Sequence, residues 1–157
     1  MLYNLMAFCF VGLAKLAALF NQKARLFVTG RKGLMPRLRR AFLGNSSKII
    51  WMHCASLGEF EQGRPVMEAL RAQVPDHKIL LTFFSSSGYE VRKNYAGADY
   101  IFYLPYDIPS HCRKFLSITR PSIALFIKYE FWPNLFRELS NQKIPMLSVS
   151  SIFRDGQ

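Results

Sequence analysis

The run Lys48-Ile-Ile-Trp-Met-His-Cys-Ala-Ser-Leu-Gly-Glu59 decides how the chain is read. The six residues after Lys48 are mostly apolar and show no in–out alternation, as in a strand covered on both faces. Ala55-Ser-Leu-Gly then makes a small polar turn. A helix is predicted over residues 59–73, with Val66, Met67, Leu70 and Val74 on one side. Pro65 either kinks that helix or marks its true first turn.

The same strand-then-helix alternation continues downstream. Apolar runs at residues 78–84, 100–104, 122–127 and 145–149 read as four further strands. Helices are expected after Ser85-Ser-Ser-Gly88 to about Tyr95, from Pro109 to about Ser117, and from Pro133 to Ser140. Short apolar strands separated by helices imply an α/β fold: a Rossmann-like, doubly wound parallel sheet. Sites in such sheets lie at the carboxyl ends of the strands. That rule gathers residues 56–59, 82–88, 105–107 and 128–130 on one edge.

Charge divides the chain. Of 157 residues, nine basic and no acidic ones precede Glu59, whereas the remainder carries 12 basic against 10 acidic. The basic part faces something anionic, and the near-neutral part can fold as an ordinary domain. Half the chain is apolar and 15% aromatic, which excludes a disordered protein. Cys9, Cys54 and Cys112 are too few and too scattered for a disulfide framework and read as reduced thiols. Cys54 reads as a buried strand residue sooner than a nucleophile.

Residues 1–20 are apolar apart from Asn4 and Lys15, and their charges follow rather than precede the apolar run, unlike a secretory signal. They are expected to form a membrane-anchor helix that either spans the bilayer or lies in its plane. Residues 21–47, with Gly30, Gly33, Pro36 and Gly44, form a basic connector suited to anionic membrane lipids and placing the downstream domain on the cytoplasmic side. Residues 48–157 form the Rossmann-like domain.

Each candidate site has a structural alternative. Glu59 is either a reacting carboxylate past a strand end or a first-turn acid that offsets the helix dipole. Gly58, lacking a Cβ, would let a substrate approach the backbone. Ser85, Ser86, Ser87 and Gly88 could cradle a phosphate or cap a helix. Lys128 and Glu130 could order a polar ligand or form an ion pair, while Trp132-Pro133-Asn134 reads as a helix start with a packed indole. Gly58 and Gly63 have phosphate-loop spacing, but Arg64-Pro65 stands where Lys-Ser/Thr would be needed. His53, His77 and His111 lack ligand spacing, so no metal is expected. Nucleic acid is not an expected partner, because the basic stretch lacks interleaved stacking aromatics.

Three motifs occur in register with the strand ends: Ala55-Ser56-Leu57-Gly58-Glu59, Tyr103-Leu104-Pro105-Tyr106-Asp107 and Glu130-Phe131-Trp132-Pro133-Asn134. In that order they resemble the transferases of 3-deoxy-D-manno-octulosonic acid (Kdo). The resemblance implies the N-terminal, acceptor half of a GT-B glycosyltransferase at the cytoplasmic face of the inner membrane. It implies Kdo transfer from CMP-Kdo to the 6′-hydroxyl of lipid A precursor in lipopolysaccharide biosynthesis, without cofactor or metal. Glu59 would then be the general base. Ser56, Gly58, Ser85, Ser86, Ser87, Gly88, Asp107, Lys128 and Glu130 would bind acceptor, Glu130 by positioning it. Many members carry an acid where Lys128 stands and a Thr-rich turn in place of residues 85–87. CMP-Kdo would bind a C-terminal half that this chain is expected to lack, leaving it inactive alone. The alternatives are a membrane-associated GT-B enzyme with another lipid-linked acceptor and a non-catalytic module binding anionic lipid.

Overall fold

The structure, a computed structural model, describes residues 2–128 and 130–150. Met1, Tyr129 and the last stretch of the expected domain, 151–157, lie outside the described residues. Strands β1 (Ile49–Cys54), β2 (Lys78–Phe83), β3 (Tyr100–Tyr103), β4 (Pro121–Ile127) and β5 (Met146–Val149) form one parallel sheet. Their order is β3-β2-β1-β4-β5. The chain winds outward from β1 to β3, then returns to the other side of β1, so the crevice between β1 and β4 is the topological switch point.

Helices cover both faces. Against one lie α4 (Leu57–Gln73) and α5 (Ser86–Arg92), with Phe60 and Met67 buried on Ile50, Met52, Cys54, Leu81 and Ile127. Against the other lie α3 (Leu34–Ala41), α6 (Pro109–Thr119) and α7 (Pro133–Asn141), enclosing Trp51, Leu80 and Phe126. All six residues of β1 are buried, as its apolar run requires. Helix α4 starts at Leu57 and continues through Pro65, so that proline is not its first turn. Gly63 packs where a Cβ would come within 2.9 Å of the Ile127 side chain, letting α4 lie close to the sheet.

Residues 21–47, read from sequence as a connector, contain two helices, α2 (Gln22–Thr29) and α3. The Asn21 side chain accepts from Ala24 N and starts α2, and Gly33, at φ +64°, makes the left-handed turn into α3. The expected outward-facing positive charge also needs correction at one position. Arg31 is buried, donating from Nε to Leu104 O (2.8 Å), Nη1 to Phe27 O (2.9 Å) and Nη2 to Phe84 O (2.7 Å). The rings of Phe27, Phe84, Tyr103 and Tyr106 surround it at 3.9–5.0 Å from centroid to guanidinium carbon. Burial pulls its pKa down to about 10, so it stays charged at neutral pH. It staples the α2–α3 turn to the tips of β2 and β3.

Helix α1 (Leu2–Ala17) is about 24 Å long, shorter than the roughly 30 Å hydrocarbon layer. Among the described residues no helix is long and apolar enough to cross a membrane. Asn4, Ala7, Val11, Ala14 and Ala18 form a half-buried stripe, while Leu2, Leu5, Phe8, Leu13 and Leu16 point outward. Tyr3 donates to Asp107 (2.6 Å) and Asn134 to the Asn4 carbonyl oxygen (2.8 Å), tying α1 to the carboxyl edge of the sheet.

Replacing Arg31 with Met would strand the Leu104 and Phe84 carbonyls, and Lys cannot reproduce a planar fork. Both variants are expected to lose about 2–4 kcal/mol in urea unfolding. A loss below about 0.5 kcal/mol would contradict the staple.

Candidate active site

The sheet's carboxyl edge brings two acids together from different elements. Ser56 is the N-cap residue of α4, and Glu59 follows in its first turn. The Ser56 hydroxyl donates to the Glu59 carboxylate instead of capping the helix. Glu130 follows β4, the neighbour of β1, and its Oε2 lies 3.9 Å from His53 Nε2 near the end of β1. Its side chain is only 20% exposed. Burial, followed by the negative charge of Glu59, pushes the Glu130 carboxyl up to about 7, with the Trp132 indole N–H opposing the rise. The same pair pushes the buried Cys54 thiol well above its ordinary range, after burial itself, so Cys54 is no thiolate nucleophile at neutral pH. The Glu59 charge thus reaches the Glu130 carboxyl from the neighbouring strand end, while the cleft that Glu130 lines is formed with Phe126, Lys128, Phe131, Phe136 and Met146.

Beside Glu130 lie side chains of β1 and β2. Trp51 Nε1 donates to Thr82 Oγ1 at 2.8 Å, and His53 Nδ1 lies 2.9 Å from the same oxygen. Burial draws His53 down to about 3, and the charge of Arg31 adds to the effect, so the imidazole is neutral. Trp132 closes the other side, its ring 6.0 Å from that of His53 and 4.6 Å from Phe84.

The remaining candidates divide. Ser85 N donates to Ala55 O (2.8 Å), so the serine turn sits beside the Ser56 loop, and Ser85 and Ser87 hydroxyls bond each other at 2.7 Å. Gly58 has open space: an added Cβ would meet only Ser56 Oγ, at 3.8 Å. Gly88 instead packs flat on Phe83, 2.2 Å from where its Cβ would be, which is a packing role. Lys128 takes the left-handed conformation at the end of β4 (φ +64°), its N–H bonded to Val149 O.

Asp107 is placed differently from the acceptor contact expected of it. It is buried, and its oxygens receive Asn134 N (3.2 Å), Leu135 N (2.8 Å), Tyr3 Oη and Cys112 Sγ. Its carboxylate caps α7 from a loop 26 residues earlier in the chain. Between α1 and this edge runs an apolar cleft of about 270 Å³, lined among others by Met6, Phe10, Phe84, Tyr106 and Trp132.

Sequence reasoning placed Thr82 on this edge without giving it a part, and did not assign His53 or Trp132 to it. The available signal was a histidine inside an otherwise apolar strand that ends at the Ser56–Glu59 loop. No group of three or more metal-ligating side chains occurs among the described residues.

In a doubly wound α/β domain the ligand crevice lies at the switch point, and here Glu59 and Glu130 stand at the strand ends that flank it. Residues 27–157 match the family described as 3-deoxy-D-manno-octulosonic-acid transferase (kdotransferase), and the chain belongs to that family. It is 31% identical over 130 residues to the 3-deoxy-D-manno-octulosonic acid transferase of Haemophilus influenzae, covering 76% of this chain and 30% of the relative. The Aquifex aeolicus transferase of the same name is 32% identical over 110 residues, 69% of this chain and 30% of its own length. That of Bordetella pertussis is 33% identical over 111 residues, 66% and 25% respectively. The chain thus spans about 30% of the length of the first two of these relatives.

Because the native state keeps the Glu130 proton up to about pH 7, unfolding releases it between the ordinary carboxylate range and about pH 7. Stability should therefore fall as pH rises from about 4.5 to about 7. Glu130→Gln removes that loss and should be more stable than wild type by about 1–3 kcal/mol at pH 8, with no difference near pH 4. Urea melts at both values check this, and equal differences at both would contradict it.

Proposed function

We propose that the chain is the acceptor-binding half of a GT-B-type transferase. It moves Kdo from CMP-Kdo to the 6′-hydroxyl of a lipid A precursor in lipopolysaccharide biosynthesis. The observation that supports this reading is the pair Glu59 and Glu130 at the adjacent ends of β1 and β4, beside the switch point, in a chain of this family. Glu59 removes the proton of the 6′-hydroxyl as that oxygen bonds the anomeric carbon of Kdo, and the bond from that carbon to the CMP phosphate breaks. Glu130, with a carboxyl that both donates and accepts near neutral pH, positions the acceptor hydroxyls. Ser56 orients Glu59, and the open backbone at Gly58 gives the sugar room to approach. The serine turn, residues 85–87, adds hydroxyls on the neighbouring loop. CMP-Kdo is held by a second half.

The acceptor's chemistry also fits the surroundings. Helix α1 has no buried residue and exposes leucines and phenylalanines all along its outer side. Lys23, Arg25, Lys32, Arg39 and Arg40 are exposed on the next two helices and the turn between them. An apolar helix beside exposed cations suits a helix lying in the plane of an anionic bilayer, at the cytoplasmic face of the inner membrane. The apolar cleft under α1 runs toward Trp132 and can take part of an acyl chain.

The test joins this chain to the remaining length of the Haemophilus influenzae relative and measures Kdo transfer to lipid A precursor. Glu59→Gln is expected to lower transfer by about 10²–10⁴-fold with the protein folded. Near-normal turnover in that variant would remove Glu59 from the mechanism. No transfer by the parent fusion, with its fold verified, would count against the acceptor assignment.

A further inference from the structure

One buried ring nitrogen beside Glu130, His53 Nε2, has no hydrogen-bond partner among the described residues, whereas the Trp132 indole N–H already bears on the Glu130 carboxyl. Buried polar groups are nearly always paired, so an orphan at a candidate site asks what it serves. His53 has no exposed surface, and Trp132 lies beside it.

The tautomer of His53 follows from counting donors and acceptors. Thr82 Oγ1 already accepts from Trp51 Nε1. As a buried hydroxyl it also has a proton to place, and His53 Nδ1, at 2.9 Å, is the acceptor within reach among the described residues. That leaves Nδ1 unprotonated and puts the ring proton on Nε2. The alternative, Nδ1–H donating to Thr82 O at 3.1 Å, strands the Thr82 proton in the core. A directed chain results: Trp51 N–H to Thr82, Thr82 O–H to His53, and His53 Nε2–H toward Glu130 Oε2 at 3.9 Å.

We propose that His53 is a positioning residue. Buried, and oriented by Thr82 and Trp51, it presents Nε2–H to the carboxylate form of Glu130 and, with Trp132, fixes that carboxyl's orientation. The separation of 3.9 Å fits a contact that tightens when ligand or a bridging hydroxyl arrives. The other charged or titratable groups near Glu130 are Glu59 on α4, Cys54 on β1 and Lys128, which lines a cleft with Glu130, while Arg31 acts on His53 from the α2–α3 turn. The functional weight of the assignment rests on the transferase reading above, whereas its test needs no transfer.

The test is a carbon-13 titration of the Glu130 carboxyl, with long-range proton–nitrogen spectra of the His53 ring, on this full chain. In the wild type the ring proton is expected on Nε2. In His53→Leu the Glu130 midpoint should move up by about half a unit to one unit, because a donor to the charged form is lost. His53→Gln, whose side-chain amide can supply an N–H there, should bring it back toward the wild-type value. A ring proton on Nδ1 overturns the proposal even if no variant folds. A midpoint that stays put or falls in a folded His53→Leu overturns it as well. Failure of the fusion protein to transfer Kdo would leave both readouts intact, so the two claims fail separately.

Discussion

Parallel pairing of β1 with β4 is the constraint on which the site depends. The strands run in register from Ile50 opposite Ile123 to His53 opposite Phe126, with the small Ala124 across from Trp51. A sheet that winds away from β1 and then returns to it must place two unrelated loops at adjacent strand ends. One loop carries Ser56 and Glu59, and the other carries Glu130. A carboxyl at each tip would be unremarkable alone. At adjacent strand ends near a buried thiol and a neutral imidazole, the Glu59 charge raises the proton affinity of Glu130.

The rest of the chain stabilises that edge. Arg31 ties α2 to the carbonyls of Phe84 and Leu104, just past β2 and β3, with aromatic faces in place of a counter-ion. Asp107 ties α1, α6 and α7 together through four hydrogen bonds to one carboxylate. Because Tyr3 and Asn4 reach the same hub, the apolar helix is fixed relative to the paired acids. On the transferase reading, a lipid surface under α1 and the reacting hydroxyl therefore have a set geometry. Burying an arginine and a histidine in the same region costs stability, consistent with a site that trades some stability for chemistry.

Much of the fold was legible because buried parallel strands leave unbroken apolar runs, and all five predicted strands occur within a residue or two of their expected ends. The helices between residues 21 and 47 were not, since each is eight residues long and glycines and charges dominate that stretch. Arg31 looked like any other cation there, because the four rings around it come from positions 27, 84, 103 and 106. Asp107 looked like a ligand contact because nothing local reveals that it caps a helix beginning at Pro133. Glu59 and Glu130 could be placed on one edge by the winding rule alone. The influence of Glu59 on Glu130, and the contact between His53 and Glu130, depend on side-chain geometry that only packing determines.

The most direct measurement is the titration of the Glu130 carboxyl in wild type and in Glu59→Gln. If the two acids lie close at adjacent strand ends, removing the Glu59 charge lowers the Glu130 midpoint from its position near 7. An unchanged midpoint would mean that the loops after β1 and β4 do not meet, and the paired-carboxyl site would not exist.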